Sequence, residues 1–129
     1  MNQITTQYIT ENGACYEQYV ITDPAAKTSL TITPERGGMI TGFTLDGDEY
    51  IWTRRPNFSE CNRPRFGVPV LFPSCGNPDG GVHLFGGKAY PMETHGLADL
   101  CAWEVDSVGP DGVTLVLEST PLTKFLYPF

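Results

Sequence analysis

Glycine and proline constrain the fold of this chain more than any other sequence feature. The 129 residues include fourteen glycines and eleven prolines, about one residue in five and well above the usual share. Both residue types interrupt helices, whereas both are common in turns. The composition therefore disfavours a helical bundle and favours a sheet protein with many turns.

Alternating apolar and polar residues predict the strands, and no twelve-residue window has the periodicity of an amphipathic helix. Two turn sequences, Asp46-Gly47 and Gly109-Pro110-Asp111-Gly112, are typical of hairpins. We predict an all-β fold, an antiparallel β-sandwich, in a single domain over residues 1–129. The predicted strands are residues 30–33, 40–45, 49–53, 68–72, 103–108 and 113–118.

Composition and charge narrow the possible partners. Hydrophobic residues make up 40% of the chain and charged residues 18%, enough apolar residues to bury a core. Eight basic and fifteen acidic residues give a net charge of −7, and no stretch concentrates lysine and arginine. Because nucleic-acid binding needs basic residues opposite the phosphates, we expect no nucleic-acid partner.

The sequence also carries signals about the compartment. The first seven residues, MNQITTQ, have neither the basic nor the apolar region of a signal peptide. The longest nearly apolar run, residues 66–72, is too short to span a membrane. We expect a cytoplasmic protein with reduced thiols and with no metal, cofactor or membrane partner. The scattered cysteines form no C-x-x-C pair, which disfavours zinc; they are Cys15, Cys61, Cys75 and Cys101.

Two long stretches have little strand signal and many polar residues. Residues 54–65 hold three arginines, Arg54, Arg55 and Arg63, and residues 73–94 are dense in Gly, Pro, Asn and Asp. Loops of this length on a sheet scaffold often carry binding groups. Polar loops also keep a protein soluble, so composition leaves both interpretations open.

Five stretches of sequence match a set of motifs in order. Residues 67–77, GVPVLFPSCGN, are similar to a Gly-x-Pro-(Ile/Val)-Leu-Phe-Pro run, and residues 94–99, THGLAD, to an H-G-(F/L)-A-R motif. A G-K-x-Y strand, a W-E-V segment and an early Gly-rich turn have counterparts at residues 86–92, 103–105 and 32–40. Together they resemble the aldose 1-epimerase family of galactose mutarotase-like proteins, over about residues 29–129.

This resemblance implies a sugar-related function. The family interconverts sugar anomers in a domain roughly twice as long as this chain. We therefore expect the N-terminal half, a partial supersandwich, with the family's acid histidine and base glutamate beyond Phe129. The chain alone is then expected to be inactive, and its open sheet edges to form a homodimer or larger assembly. A non-catalytic sugar-binding module and a self-associating structural β-domain remain alternatives.

The resemblance also implies three substrate-binding residues and no catalytic residue. His95 matches the motif histidine that contacts sugar oxygens, although a histidine bonded to a nearby turn backbone would fit the position too. Asn77 and Asp99 stand where relatives carry arginine, and both can partner sugar hydroxyls, although Asn77 fits a simple turn equally well. Without those two cations, a neutral aldohexose is favoured over a hexose 6-phosphate.

Overall fold

A five-stranded antiparallel sheet dominates the computed structural model, which describes residues 1–53, 63 and 66–128. The strands are hydrogen-bonded in chain order, each to the next. They are β1 (Gln3–Glu11), β2 (Ala14–Asp23), β3 (Thr28–Thr33), β4 (Met39–Leu45) and β5 (Asp48–Glu49).

Two separate hairpins, two 3₁₀ turns (Asp79–Gly81 and Ala98–Leu100) and one short α-helix complete the described elements. The hairpins are β6 (Val82–Phe85) with β7 (Lys88–Pro91), and β8 (Glu104–Val108) with β9 (Val113–Val116). Helix α1 (Pro121–Leu126) follows them. The prediction of a mainly antiparallel β fold is confirmed. No helix in the described part of the chain is long and apolar enough to cross a membrane.

The hairpin that joins β4 to β5 confirms the sequence prediction made at Asp46-Gly47. Both residues have positive φ angles, 52° and 92°, as the tightest hairpin turns require. The return strand is shorter than predicted, because regular pairing ends at Glu49. Tyr50 still donates its N–H to the carbonyl of Phe43 at 2.8 Å.

The prediction of a buried strand at residues 68–72 is wrong. Only isolated bridges occur there, one between Ile40 and Val68 and one between Phe72 and Gly96. Pro69 has no N–H to give to a ladder, which explains why the pairing does not continue. Val68 and Phe72 are also about half exposed, at 47% and 48%.

The core is small and includes a polar network. Met39 is fully buried against Phe66, and Ile9 and Tyr16 pack on this pair. Beside this core, Gln18 of β2 is buried and donates to the hydroxyls of Thr33 and Thr41, at 2.9 and 3.4 Å. Because a buried amide needs partners, this network holds β2, β3 and β4 in one register.

A glycine turn after β3 connects the sheet to the segment that carries Asp99. Gly37 donates its N–H to the carbonyl of Cys101 at 3.1 Å. A Cβ at Gly37 would lie 2.4 Å from the backbone oxygen of Asp99, so only glycine allows this approach. The sheet thereby supports the short 3₁₀ turn at Ala98–Leu100.

Candidate functional site

A cavity of about 500 Å³ brings together all three residues that the sequence predicts to bind substrate. Its volume lies within the range of small-molecule sites. A neighbouring cavity of about 420 Å³ shares Arg63, Asn77 and Thr94 with it and extends to Glu93. The larger cavity is lined by Arg63, Phe66, Gly67, Pro69, Asn77, Thr94, His95 and Asp99.

A third cavity, also about 420 Å³, is mainly apolar and lies elsewhere, between helix α1 and the segment around Trp103. Phe72, Leu97 and Tyr127 are among its lining residues. Specific small-molecule sites combine apolar walls with a few convergent polar groups. The predicted substrate-binding residues converge on the 500 Å³ cavity instead, which makes that cavity the better candidate.

His95 lies in a loop that is tied to the loop of Asn77 by two reciprocal hydrogen bonds. The His95 N–H donates to the carbonyl of Gly76 at 2.9 Å, and the Gly76 N–H donates to His95 Nδ1 at 3.0 Å. These bonds hold His95 at a φ of 69°, a left-handed conformation that is costly for a non-glycine residue. One interpretation of His95 in the sequence was a hydrogen bond to a nearby turn backbone, and this bond is present.

The same hydrogen bond determines what the imidazole of His95 offers to a ligand. Because Nδ1 accepts the Gly76 N–H, the proton of the neutral ring is on Nε2. The remaining nitrogen therefore donates a hydrogen bond and does not accept one. His95 lines the cavity with a fixed tautomer, which suits an acceptor oxygen.

The side chain of Asn77 is hydrogen-bonded within the loops and also lines the cavity. Its side-chain oxygen accepts a hydrogen bond from the hydroxyl of Thr94, which joins the two loops a second time. The next residue, Pro78, begins a turn in which its carbonyl accepts the N–H of Gly81 at 3.0 Å. Because the Asn77 side chain is exposed, its amide NH₂ is accessible to a ligand.

Asp99 is buried, with only 2% of its surface exposed, and its carboxylate holds Arg63. Arg63 Nη1 donates to both carboxylate oxygens, at 3.1 and 3.0 Å. Arg63 Nη2 donates to the carbonyl of Gly96 at 2.8 Å and lies 3.8 Å from Glu93 Oε2. Asn77 and Asp99 stand at the two motif positions where relatives carry arginine. The guanidinium of Arg63, which lies 36 residues before Asp99 in the chain, nevertheless lines the cavity.

Burial and Arg63 act on the Asp99 carboxyl in opposite directions. Burial disfavours the charged form and raises the pKa of Asp99 above its ordinary value of 3.8. The neighbouring guanidinium of Arg63 lowers this pKa, but by less than burial raises it. The folded state therefore binds the Asp99 proton more tightly than the unfolded chain does.

Replacing Arg63 by glutamine is expected to raise the pKa of Asp99 further, because the guanidinium that opposes burial is removed. The contribution of this carboxyl to stability is complete below about pH 4 and is lost as pH rises through the folded-state pKa. As the pH rises above about 4, the variant should therefore lose more stability than the wild type. NMR titration of the Asp99 carboxyl carbon checks the pKa, and an unchanged or lower value contradicts the balance described.

Sequence reasoning missed the role of Arg63 and the contributions of Thr94 and Gly37. In the sequence Arg63 is one of three arginines in a polar stretch, and its partner Asp99 lies 36 residues further along. No local pattern reports such a pairing. Arg54, Arg55 and Cys61, also singled out in the sequence, lie outside the described residues. Among the described cysteines, Cys15, Cys75 and Cys101 are free thiols.

Comparison with solved structures identifies the fold. The Slr1438 protein from Synechocystis sp. PCC 6803 matches with a TM-score of 0.79 and 29% identity, over 87% of this chain and 40% of that chain. A galactose mutarotase related enzyme from Lactobacillus acidophilus matches with a TM-score of 0.63 and 22% identity, over 97% of this chain and 36% of that chain. The fold is galactose mutarotase-like.

This assignment rests on structure rather than on sequence. No protein-family model and no curated protein matches the chain. The chain spans well under half the length of either solved structure. The galactose mutarotase-like fold agrees with the resemblance found in the sequence motifs.

Proposed function

We propose that this chain binds a neutral aldohexose in the 500 Å³ cavity and, on its own, does not catalyse the interconversion of sugar anomers. The observation that carries the proposal is the convergence of Asn77, His95 and Asp99 on one cavity. These positions come from separate sequence motifs, at residues 67–77 and 94–99. The galactose mutarotase-like fold of the chain gives further support.

The chemistry of the lining residues suits sugar hydroxyls. His95 offers the Nε2–H as a donor, and Asn77 offers its amide NH₂. Phe66 and Pro69 supply apolar wall, so a sugar ring would meet both polar groups and apolar surface. Asp99 enters the site through Arg63, whose side chain it positions beside the cavity.

The same residues supply a poor acid–base pair for mutarotation. The reaction needs one group to take the proton of the anomeric hydroxyl and another to deliver a proton to the ring oxygen. Of the described lining residues, His95 has its accepting nitrogen bonded to Gly76, and Asp99 has both oxygens bonded to Arg63. This supports binding without catalysis for the chain by itself.

Removing the imidazole of His95 tests the binding proposal. We expect the wild type to bind galactose or glucose and His95→Ala to bind about fivefold to tenfold more weakly, the value of one hydrogen bond. Saturation-transfer NMR and calorimetry measure the affinity. His83→Ala is the matched control, because His83 packs against Tyr127 and is not among the residues that line the cavity. Equal weakening by both variants, or no binding by the wild type, refutes the proposal.

Exposed apolar side chains favour a second proposal, a homodimer. Leu84 of β6 is 75% exposed, and Leu122 and Phe125 of α1 are 68% and 81% exposed. The ring of Tyr127, just after α1, packs on Phe85, so the helix end lies beside the β6–β7 hairpin. A second copy that covers these side chains would remove apolar surface from water.

We place this dimer in the cytoplasm, a location that the free thiols of the described cysteines support.

Light scattering on a sizing column measures the assembly. We expect a mass of twice 14.2 kDa at micromolar concentration, and a shift toward monomer when Phe125 is replaced by glutamate. Ala25→Glu, at an exposed turn position between β2 and β3, is the control for added negative charge. A wild-type species of 14.2 kDa contradicts the dimer, and an equal effect of both substitutions contradicts the interface at Leu84, Leu122 and Phe125.

A further inference from the structure

We infer that Asp99 determines specificity: its carboxylate masks the guanidinium of Arg63, so that the site selects neutral sugars over sugars that carry a phosphate or carboxylate group. The inference rests on the proposed function, because it concerns the substrate class of the same cavity. It gives Asp99 a role through Arg63 rather than through a contact with the sugar.

The geometry shows how complete the masking is. Nη1 of Arg63 contacts both oxygens of Asp99, at 3.1 and 3.0 Å, and Nη2 is bonded to the carbonyl of Gly96 at 2.8 Å. The Asp99 side chain is 1% exposed and the Arg63 side chain 16%. Water screens a pair this buried only weakly, so the two charges cancel each other at the cavity wall.

A second carboxylate makes the surroundings still less favourable for an anion. Glu93 Oε2 lies 3.8 Å from Arg63 Nη2 and lines the neighbouring cavity. An incoming phosphate would have to compete with Asp99 for Arg63 and would also meet the charge of Glu93. An uncharged hydroxyl has neither disadvantage, because it needs only a donor or an acceptor.

The burial of Asp99 separates this role from direct sugar binding. A carboxylate that holds a sugar hydroxyl needs an accessible oxygen, whereas both Asp99 oxygens are bonded to Arg63 and closed off from solvent. Removing the negative charge while keeping the shape should therefore change which ligands bind. A merely structural role would instead weaken all ligands alike.

The test compares galactose with galactose 6-phosphate in the wild type and in Asp99→Asn, by calorimetry at low and high salt. We expect the wild type to prefer galactose, and the ratio of affinities for the phosphate over galactose to rise at least tenfold in the variant. The gain should shrink at high salt, because it is electrostatic. In the double variant Arg63→Gln/Asp99→Asn the gain should disappear. Asp111→Asn, at an exposed turn position between β8 and β9 that lines neither polar cavity, should change the ratio less than threefold.

Several outcomes overturn the inference. An unchanged ratio in Asp99→Asn does so, and so does a gain that survives the loss of Arg63. If circular dichroism shows that Asp99→Asn is unfolded, the test uses the wild type alone. Equal affinities of the wild type for galactose and galactose 6-phosphate then contradict masking. If no protein binds galactose, the proposed function fails by itself. Masking is then judged by whether inorganic phosphate shifts the Arg63 side-chain NMR signal in the variant but not in the wild type.

Discussion

Replacing Gly96 by alanine is expected to lower the free energy of unfolding by more than about 3 kcal/mol, the sum of overpacking and left-handed backbone strain. Gly96 is buried and has a φ of 78°. An added Cβ would lie 2.5 Å from both the Phe72 oxygen and Pro73 Cδ, so one of the two segments must move. The carbonyl of Gly96 also accepts from Arg63, and we expect the cavity to lose its shape.

Urea unfolding followed by fluorescence measures this loss of stability. Gly80→Ala is the matched control, because Gly80 has a similar φ of 66° but nothing within 4 Å of an added Cβ. Its cost should be backbone strain alone, about 1–2 kcal/mol. If Gly96→Ala is no more destabilising than Gly80→Ala, the result contradicts the close approach of Gly96 to Phe72 and Pro73.

The second large effect concerns catalysis. The isolated chain is expected to leave the anomerisation of α-galactose at the background rate. Each well-placed acid or base typically contributes about 10²–10⁴-fold, and the described lining residues provide no free pair of such groups. His95 can donate from Nε2, but its other nitrogen is bonded to Gly76. Polarimetry on freshly dissolved α-galactose measures the rate.

His95→Ala and Asp99→Asn serve as comparisons in the same assay. If the wild type accelerates the reaction and His95→Ala does not, His95 is catalytic and the account of an inactive chain is wrong. Acceleration that Asp99→Asn alone abolishes would make the buried carboxylate a proton acceptor, against the masking role. Acceleration that neither variant changes would come from residues other than these two.

The strands could be predicted from sequence wherever turn chemistry and alternation agreed. Asp46-Gly47 and the residues on both sides of it predicted the β4–β5 hairpin, and the structure confirms it. The β1–β2 hairpin was missed, although Asn12-Gly13 at its turn is a strong hairpin signal and both residues have positive φ. Threonine and glutamine on β1 weaken the apolar alternation, and attention to the turn would have found the pair.

At residues 68–72 the sequence predicts a strand that the structure does not contain. The apolar run of these residues is typical of a buried strand, but hydrophobicity alone does not say whether pairing partners are present. In the structure, Val68 bonds to Ile40, and the carbonyl of Phe72 accepts the N–H groups of Leu97 and Ala98. The segment therefore links the sheet to the site without joining a ladder.

Some residues of the candidate site could be predicted from the sequence and others could not. His95 and Asn77 could be named from motifs, because each belongs to a short local pattern. The pair of Arg63 with Asp99 could not, since its members lie 36 residues apart and only the folded chain brings them together. Asp99, which the sequence predicts to bind substrate, lines the cavity but is buried, with both carboxylate oxygens bonded to Arg63.

The most direct test of sugar binding at this cavity is a galactose titration followed by amide NMR shifts of the labelled wild-type chain. We predict that the Gly76, Asn77 and His95 amides shift together with one affinity, because they belong to the two bonded loops at the cavity. The amide of Gly13, at the far turn of β1–β2, should stay fixed. Shifts confined to residues outside the cavity, or no shifts at saturating galactose, would contradict the account.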